Sequence, residues 1–273
     1  MNPRAATEPA PLNAGSQLIP GFRVRRHLRR ATPFDVYEVI SQERRCSCIA
    51  KMPRPELIHS ERARKMLRAE ADHLLSFSHP HLVRAYEFVD EPQPALIMET
   101  LTGQTLKHLI HESGHALTAQ ELAIMGTHLT SALGYLHDKR LVHLDLKPSN
   151  VVCEAGKVKL IDLSLAREPG TVHRGIGTRT YLSPEQAAGG ELTTAADIWG
   201  IGAVMYEAVT RATPFPDSTP QAYQQVSTRL RLPKSCRVEL PSDLASTIND
   251  CLEPTAADRP SLIEVESVLE RFI

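Results

Sequence analysis

Near residue 101 the apolar residues of this chain change their spacing, and that change constrains the fold more than any other feature. Before it, short β-branched and aromatic runs dominate: "FDVYEVI", "SCIAKM", "LVRAYEFV" and "ALIMET". Pro and charged residues punctuate them, which predicts an antiparallel sheet within residues 22–100. One helix interrupts the strands, in "HSERARKMLRAEADHLLSFS", with Met66, Leu67, Leu74 and Leu75 on one side. After residue 101 the period becomes helical. "AQELAIMGTHLTSALGYLHDK" places Leu122, Met125, Leu129, Ala132, Leu133 and Leu136 on one stripe. Two short strand signals follow, "VVCE" and "VKLID". "AADIWGIGAVMYEAVT", "PQAYQQVSTRLR", "DLASTINDCLEP" and "LIEVESVLERF" then read as helices. The expected class is α+β, with a sheet-rich lobe at 22–100 and a helical lobe at 101–273. Residues 1–21 are rich in Pro and Ala and hold no apolar core segment, so they read as a disordered leader.

Composition removes several classes. The chain has 273 residues, 42% of them hydrophobic, which is enough to bury two cores. A net charge of −1 gives no field toward nucleic acid or a membrane surface. No apolar run approaches the ~18 residues of a membrane span. The five cysteines, at 46, 48, 153, 236 and 251, are odd in number, and Cys46 and Cys48 are too close for a zinc knuckle. Reduced thiols of a cytoplasmic protein are expected.

The polar residues that carry chemistry cluster in "VHLDLKPSN". Asp145, Lys147 and Asn150 bring a carboxylate, an ammonium and an amide to one strand-to-loop segment. That set suits phosphoryl transfer: a base for a hydroxyl, a cation for phosphate charge and an oxygen for a divalent metal. Asp162 follows the apolar "VKLI" and supplies a second hard oxygen. In the first lobe, Lys51 is an ammonium on an otherwise apolar strand. Glu70 shares a helix face with Met66 and Leu74, where a carboxylate is costly unless paired. Lys51 is the expected partner.

Taken in order, these segments resemble a eukaryotic-like Ser/Thr protein kinase of the bacterial type. The resemblance runs from about Phe22 to Phe272, through Val36, Lys51 in "IAK", Glu70, "HP", "HLDLKPSN", "DLS", "GTRTYLSPE" and "DIWGIG". It implies a bilobal kinase fold and Mg²⁺-ATP-dependent transfer to Ser/Thr of a protein substrate, with scope for a regulatory protein partner. It makes Asp145 the catalytic base, with Lys147 and Thr178 beside it, and Asn150 and Asp162 the metal ligands. It gives Lys51 and Glu70 to the phosphates. It gives Val36, Ala50 and Val152 to the adenine ring, with Met98, Glu99 and Leu101 along its edge. Glu185 and Arg259 would form an ion pair, and Asp197 would brace the catalytic loop.

Three segments depart from the family. The glycines of its phosphate-covering loop are Arg29, Ala31 and Phe34 here, and Pro33 removes a further amide. Arg29 or Arg30 is left to serve the phosphates, or to block the pocket. Ser164 replaces the glycine of the metal-binding motif, and Leu144 replaces the arginine before the catalytic Asp. Without that arginine, a phosphate switch in the loop after Asp162 is not expected. The alternative to an active enzyme is a pseudokinase that binds nucleotide or serves as a scaffold.

Overall fold

The computed structural model describes residues 9–113 and 117–273. The backbone divides into two compact units. The first runs to Ser78 and resumes at Val83–Leu101, and the second holds His79–Leu82 and Thr102–Ile273.

The first unit is a six-stranded antiparallel sheet with one helix. Its elements are β1 (Gln17–Ile19), β2 (Phe22–Ala31), β3 (Phe34–Ser41), β4 (Cys46–Pro53), α1 (Glu61–Ser76), β5 (Ala85–Val89) and β6 (Ala95–Glu99). The strand order is β1-β2-β3-β4-β6-β5. Side chains alternate across a sheet. One face therefore gathers Val24, Tyr37, Val39, Cys48, Ala50 and Met52 into a core. Leu18 and Ile19 of β1 close over that core and are almost wholly buried. Disorder through residue 21 is thus not what the chain shows. This stretch carries two adjacent apolar residues, Leu18 and Ile19, whose burial outweighs the entropy of ordering them, and β1 pairs with β2. Residues 1–8 of that expected leader lie outside the described residues.

Helix α1 starts at Ser60, whose hydroxyl accepts the Ala63 amide. Its buried arc is Ala63, Leu67, Glu70, Ala71 and Leu74. Leu75, expected on the apolar side, is 43% exposed. The two alanines and the paired carboxylate allow close approach to the sheet on a side that hydrophobicity alone does not mark.

The second unit contains β7 (Gln104–Thr105), α2 (Leu106–His111), α3 (Ala119–Asp138), β8 (Val151–Glu154) and β9 (Lys157–Leu160). It continues with β10 (Gly170–Val172), α4 (Pro184–Ala188), β11 (Gly190–Leu192), α5 (Ala195–Thr210), α6 (Lys234–Glu239), α7 (Ser242–Cys251) and α8 (Leu262–Leu269). The expected stripe of α3 is buried in full. Thr118 and Glu121 close its first turn as a capping box. Two small sheets, β7-β8-β9 and β10-β11, frame the loops between them. The segment at 220–231, expected as a helix, forms only one 3-10 turn at Gln224–Val226. Its Gln225 turns inward, donating to the Arg179 carbonyl at 2.5 Å and accepting from Ser218 at 2.7 Å. Ser227 and Thr228 are also weak helix formers.

Candidate active site

In the first unit, Lys51 Nζ donates to both oxygens of Glu70 at 2.7 and 2.9 Å. Both side chains are nearly inaccessible, at 7% and 0% exposure. A pair this buried breaks at a cost of about 3–5 kcal/mol when one partner is removed. The cross-strand register sets Val36 opposite Lys51. Directly opposed residues share a face. Ile49, two residues before Lys51, lies on the same side and opposes Met98. Ala50 does not. It opposes Tyr37 and belongs to the core on the other face. Its assignment to the adenine ring is therefore corrected: adjacent residues of a strand point to opposite sides, so Ala50 cannot share a face with Lys51. Ile49 holds the position expected of Ala50, and period-two counting back from Lys51 finds it. Glu99 ends β6, where its amide donates to the Arg84 carbonyl at 2.9 Å and its carboxylate accepts the Arg84 amide at 2.8 Å. Leu101 follows at the end of the unit.

The second unit brings the catalytic candidates together. Asp145 accepts from Lys147 Nζ at 2.5 Å, from the Thr178 hydroxyl at 2.6 Å and from Asn150 Nδ2 at 3.2 Å. Lys147 also donates to Thr178 at 2.5 Å. The three side chains form a closed triangle. Asn150 donates a second bond to the Asp145 carbonyl at 3.0 Å. Both Asn150 donor bonds thus aim its amide oxygen away from Asp145. That Oδ1 is buried and has no hydrogen-bond partner among the described residues. Such an oxygen is costly unless something meets it. The Ile161 amide donates to the Asn150 carbonyl at 3.1 Å, which draws the end of β9, and Asp162 after it, to this loop. Asp162 Oδ1 accepts the Ser164 amide at 3.0 Å. An orphan amide oxygen beside a carboxylate is a donor set that fits a hard divalent cation. Val152 lies two residues beyond Asn150 in β8 and is nearly buried.

The loop is held by a second layer of bonds. Asp197 of α5 accepts the His143 amide at 2.8 Å, the Leu144 amide at 2.9 Å and His137 Nε2 at 2.9 Å. Leu144 sits at φ +67°, a left-handed conformation that costs a leucine about 1–2 kcal/mol. The bonds to Asp197 hold the backbone in it. The Leu144 side chain is buried with Val142, Leu192 and Ala196, and Leu165, Val172 and Ile176 pack around them. An apolar cluster thus occupies the surroundings of the residue that is arginine in the family. Gly177 precedes Thr178 at φ +119°, and a Cβ there would lie 2.9 Å from the Leu144 carbonyl oxygen. Only glycine fits.

Several supporting residues were not legible in the sequence. Gln186 donates to the Leu144 and Ile176 carbonyls at 2.8 and 2.9 Å, tying the loop after Asp162 to the catalytic loop. Glu207, almost wholly buried in α5, accepts from Tyr181 at 2.7 Å and meets His111 at 2.8 Å. Burial and that carboxylate push the Tyr181 phenol well above its ordinary range. Arg259 forks onto Glu185 at 2.6 and 2.8 Å, as expected. A void with room for about one water molecule, lined by Asp145, Thr178, Tyr181, Leu182 and Gln186, lies beside the triangle.

The family model for the protein kinase domain matches residues 32–271. The chain belongs to that family. It is 34% identical over 200 residues to the serine/threonine-protein kinase PkaA of Streptomyces coelicolor, which covers 69% of this chain and 36% of that one. It is 30% identical over 208 residues to the serine/threonine-protein kinase PknB of Mycobacterium tuberculosis, covering 70% and 33%. The chain spans about a third of the length of the curated relatives it matches. Protein kinases in general use ATP and Mg²⁺. Among the described residues, no helix is long and apolar enough to cross a membrane.

Proposed function

We propose that this chain transfers the γ-phosphoryl group of ATP to Ser or Thr hydroxyls of a protein substrate. The observation that carries the reading is the Asp145–Lys147–Thr178 triangle with the orphan Asn150 oxygen at its edge. Asp145 accepts the proton of the acceptor hydroxyl as its oxygen bonds to phosphorus and the bond to the ADP oxygen breaks. Lys147 offsets the phosphate charge, and Thr178 holds both groups in register. Asn150 and Asp162 are the residues that would hold Mg²⁺, which offsets the charge of the phosphates. Lys51, positioned by Glu70, serves the nucleotide phosphates. Val36, Met98, Glu99, Leu101 and Val152 serve the adenine, with Ile49 in place of Ala50. The relatives' names support a Ser/Thr acceptor. The five free thiols support a reducing, cytoplasmic setting. A nucleotide-binding scaffold without turnover is the competing reading, and the intact triangle favours the enzyme.

The test is incubation of the purified chain with Mg²⁺-ATP labelled at the γ-phosphate and a generic basic protein. Transfer is expected, and Asp145→Asn lowers it by about 10²–10⁴-fold while nucleotide binding persists. Transfer by Asp145→Asn at the wild-type rate would remove the base assignment. Nucleotide binding without transfer by the wild type would leave the scaffold.

A further inference from the structure

The β2–β3 turn poses a problem for a nucleotide-binding face, because it lacks the backbone that the family uses. The two strands stay paired to Ala31 opposite Phe34, so the turn is only Thr32–Pro33. Pro33 has no amide hydrogen. Phe34 is nearly buried, and its ring lies 5.1 Å from Lys51 Nζ. Little backbone N–H is left here to cradle phosphate.

Two arginines stand at this end of β2, and the structure separates them. Arg30 opposes Asp35 and is committed to it. Its Nε and one terminal nitrogen donate to the two Asp35 oxygens at 2.9 and 2.8 Å, and its other terminal nitrogen donates to the Pro9 carbonyl at 2.7 Å. Asp35 is fully buried and also meets His27 at 3.1 Å. Burial alone raises its carboxyl, but the bonds from Arg30 and His27 outweigh that and hold it below the ordinary range. Arg30 is therefore a structural clamp between the leader and the hairpin.

Arg29 is placed differently. It opposes Val36, and Val36 opposes Lys51. The three residues form one row across β2, β3 and β4, on the face of the Lys51 ammonium. Two strand spacings separate the ends of the row by ~10 Å. Arg29 is exposed and makes no side-chain hydrogen bond or ion pair among the described residues. The carboxylate next along that face, Glu38, is already held by Arg25, Arg26 and Ser47. An unengaged guanidinium and a buried ammonium thus share one face, with an apolar valine between them.

We infer that Arg29 is a polyphosphate-binding residue, and that its guanidinium supplies the anion contacts that loop amides supply elsewhere in the family. The inference rests on the reading of this face as a nucleotide site. Guanidinium–phosphate pairs are forked and charge-assisted, so one side chain replaces several amides. The ligand class is a nucleoside di- or triphosphate, and the contact is blind to the base.

The experiment is calorimetric titration of the full chain with Mg²⁺-ATP and, separately, with adenosine. Wild type, Arg29→Ala, Arg29→Lys and Arg30→Ala are compared. Arg29→Ala is expected to weaken ATP by about 10- to 100-fold and to leave adenosine unchanged. Arg29→Lys recovers part of the loss, because it keeps the charge and loses the fork. Arg30→Ala lowers the melting temperature and leaves the ratio of ATP to adenosine affinity at its wild-type value. ATP binding by Arg29→Ala equal to wild type overturns the inference alone. So does an equal loss of adenosine, which marks a structural role. A wild type that binds neither ligand overturns both this inference and the nucleotide reading beneath it.

Discussion

Around the β2–β3 turn, Arg29, Ala31 and Phe34 stand where the resemblance expects glycine, whereas the Asp145 loop keeps the Asp145, Lys147 and Asn150 that it expects. The family match itself begins at Thr32, so β2 lies outside it. The two regions do different kinds of work. A phosphate contact needs positive charge at roughly the right distance, and a backbone amide or a guanidinium can provide it. Proton abstraction needs a carboxylate fixed in one place, and Lys147 and Thr178 fix that of Asp145 by one bond to each of its oxygens and a third bond between themselves. Diffuse electrostatics tolerates replacement, and atom-specific geometry does not.

The largest effect tests whether the first unit kept its ionic anchor while its turn diverged. Lys51→Met and Glu70→Ala are each expected to cost about 3–5 kcal/mol of folding stability, because each breaks a buried ion pair. The double variant should cost far less than the sum. Urea denaturation of the four proteins measures the coupling, and additive losses would mean that the pair is not a unit.

Leu144→Ala probes the catalytic loop at its one changed position. Its loss from the cluster with Val142, Leu192 and Ala196 is expected to cost about 2–5 kcal/mol. A shift in denaturation midpoint below what 0.5 kcal/mol produces (about a surface substitution) would show that the cluster does not hold this loop.

A smaller effect follows from His79 and His128 of the second unit. Burial lowers the pKa of both, and His81 lowers each further, with Lys157 adding to the effect on His128. The His81 and His128 rings stack at 4.0 Å, so two charges there repel. Both imidazoles stay neutral in the fold below the ~6.5 at which they protonate when unfolded. The unfolded chain then binds more protons, so stability falls as the pH drops through about 6.5 toward the lower folded values. Above that window these two groups contribute no slope. Melting temperatures between pH 8 and 5.5 read the effect, and His128→Phe should flatten part of the slope. An unchanged slope would mean that other groups set it.

The smallest effect expected is none. Thr171 is exposed on β10 directly opposite Glu191, so a phosphate on it would meet like charge. Arg174 is engaged with the Ala187 carbonyl and the Tyr223 ring. Thr171→Ala, Thr180→Ala and phosphatase treatment should each leave activity within about twofold. A collapse rescued by an acidic residue at Thr171 would restore a phosphate switch to this loop.

What the sequence determined by itself is whatever depends on local period and residue type. The α3 stripe was readable because 3.6-residue spacing marks one face without reference to a partner. Asp145, Lys147 and Asn150 were readable because six residues of chain cannot carry them far apart. Only the tertiary structure decided the rest. Thr178 reaches Asp145 across 33 residues, and Asp197 reaches the His143 and Leu144 amides across more than 50. The resemblance named both contacts in advance, but no local pattern encodes them, because they depend on how distant elements pack. The same holds for Leu18 and Ile19, whose order comes from a core built by later strands. It holds again for the two arginines. Adjacent in sequence and alike in chemistry, they are told apart by the alternation of a strand, which turns Arg30 onto Asp35 and leaves Arg29 beside Val36 in the row that ends at Lys51.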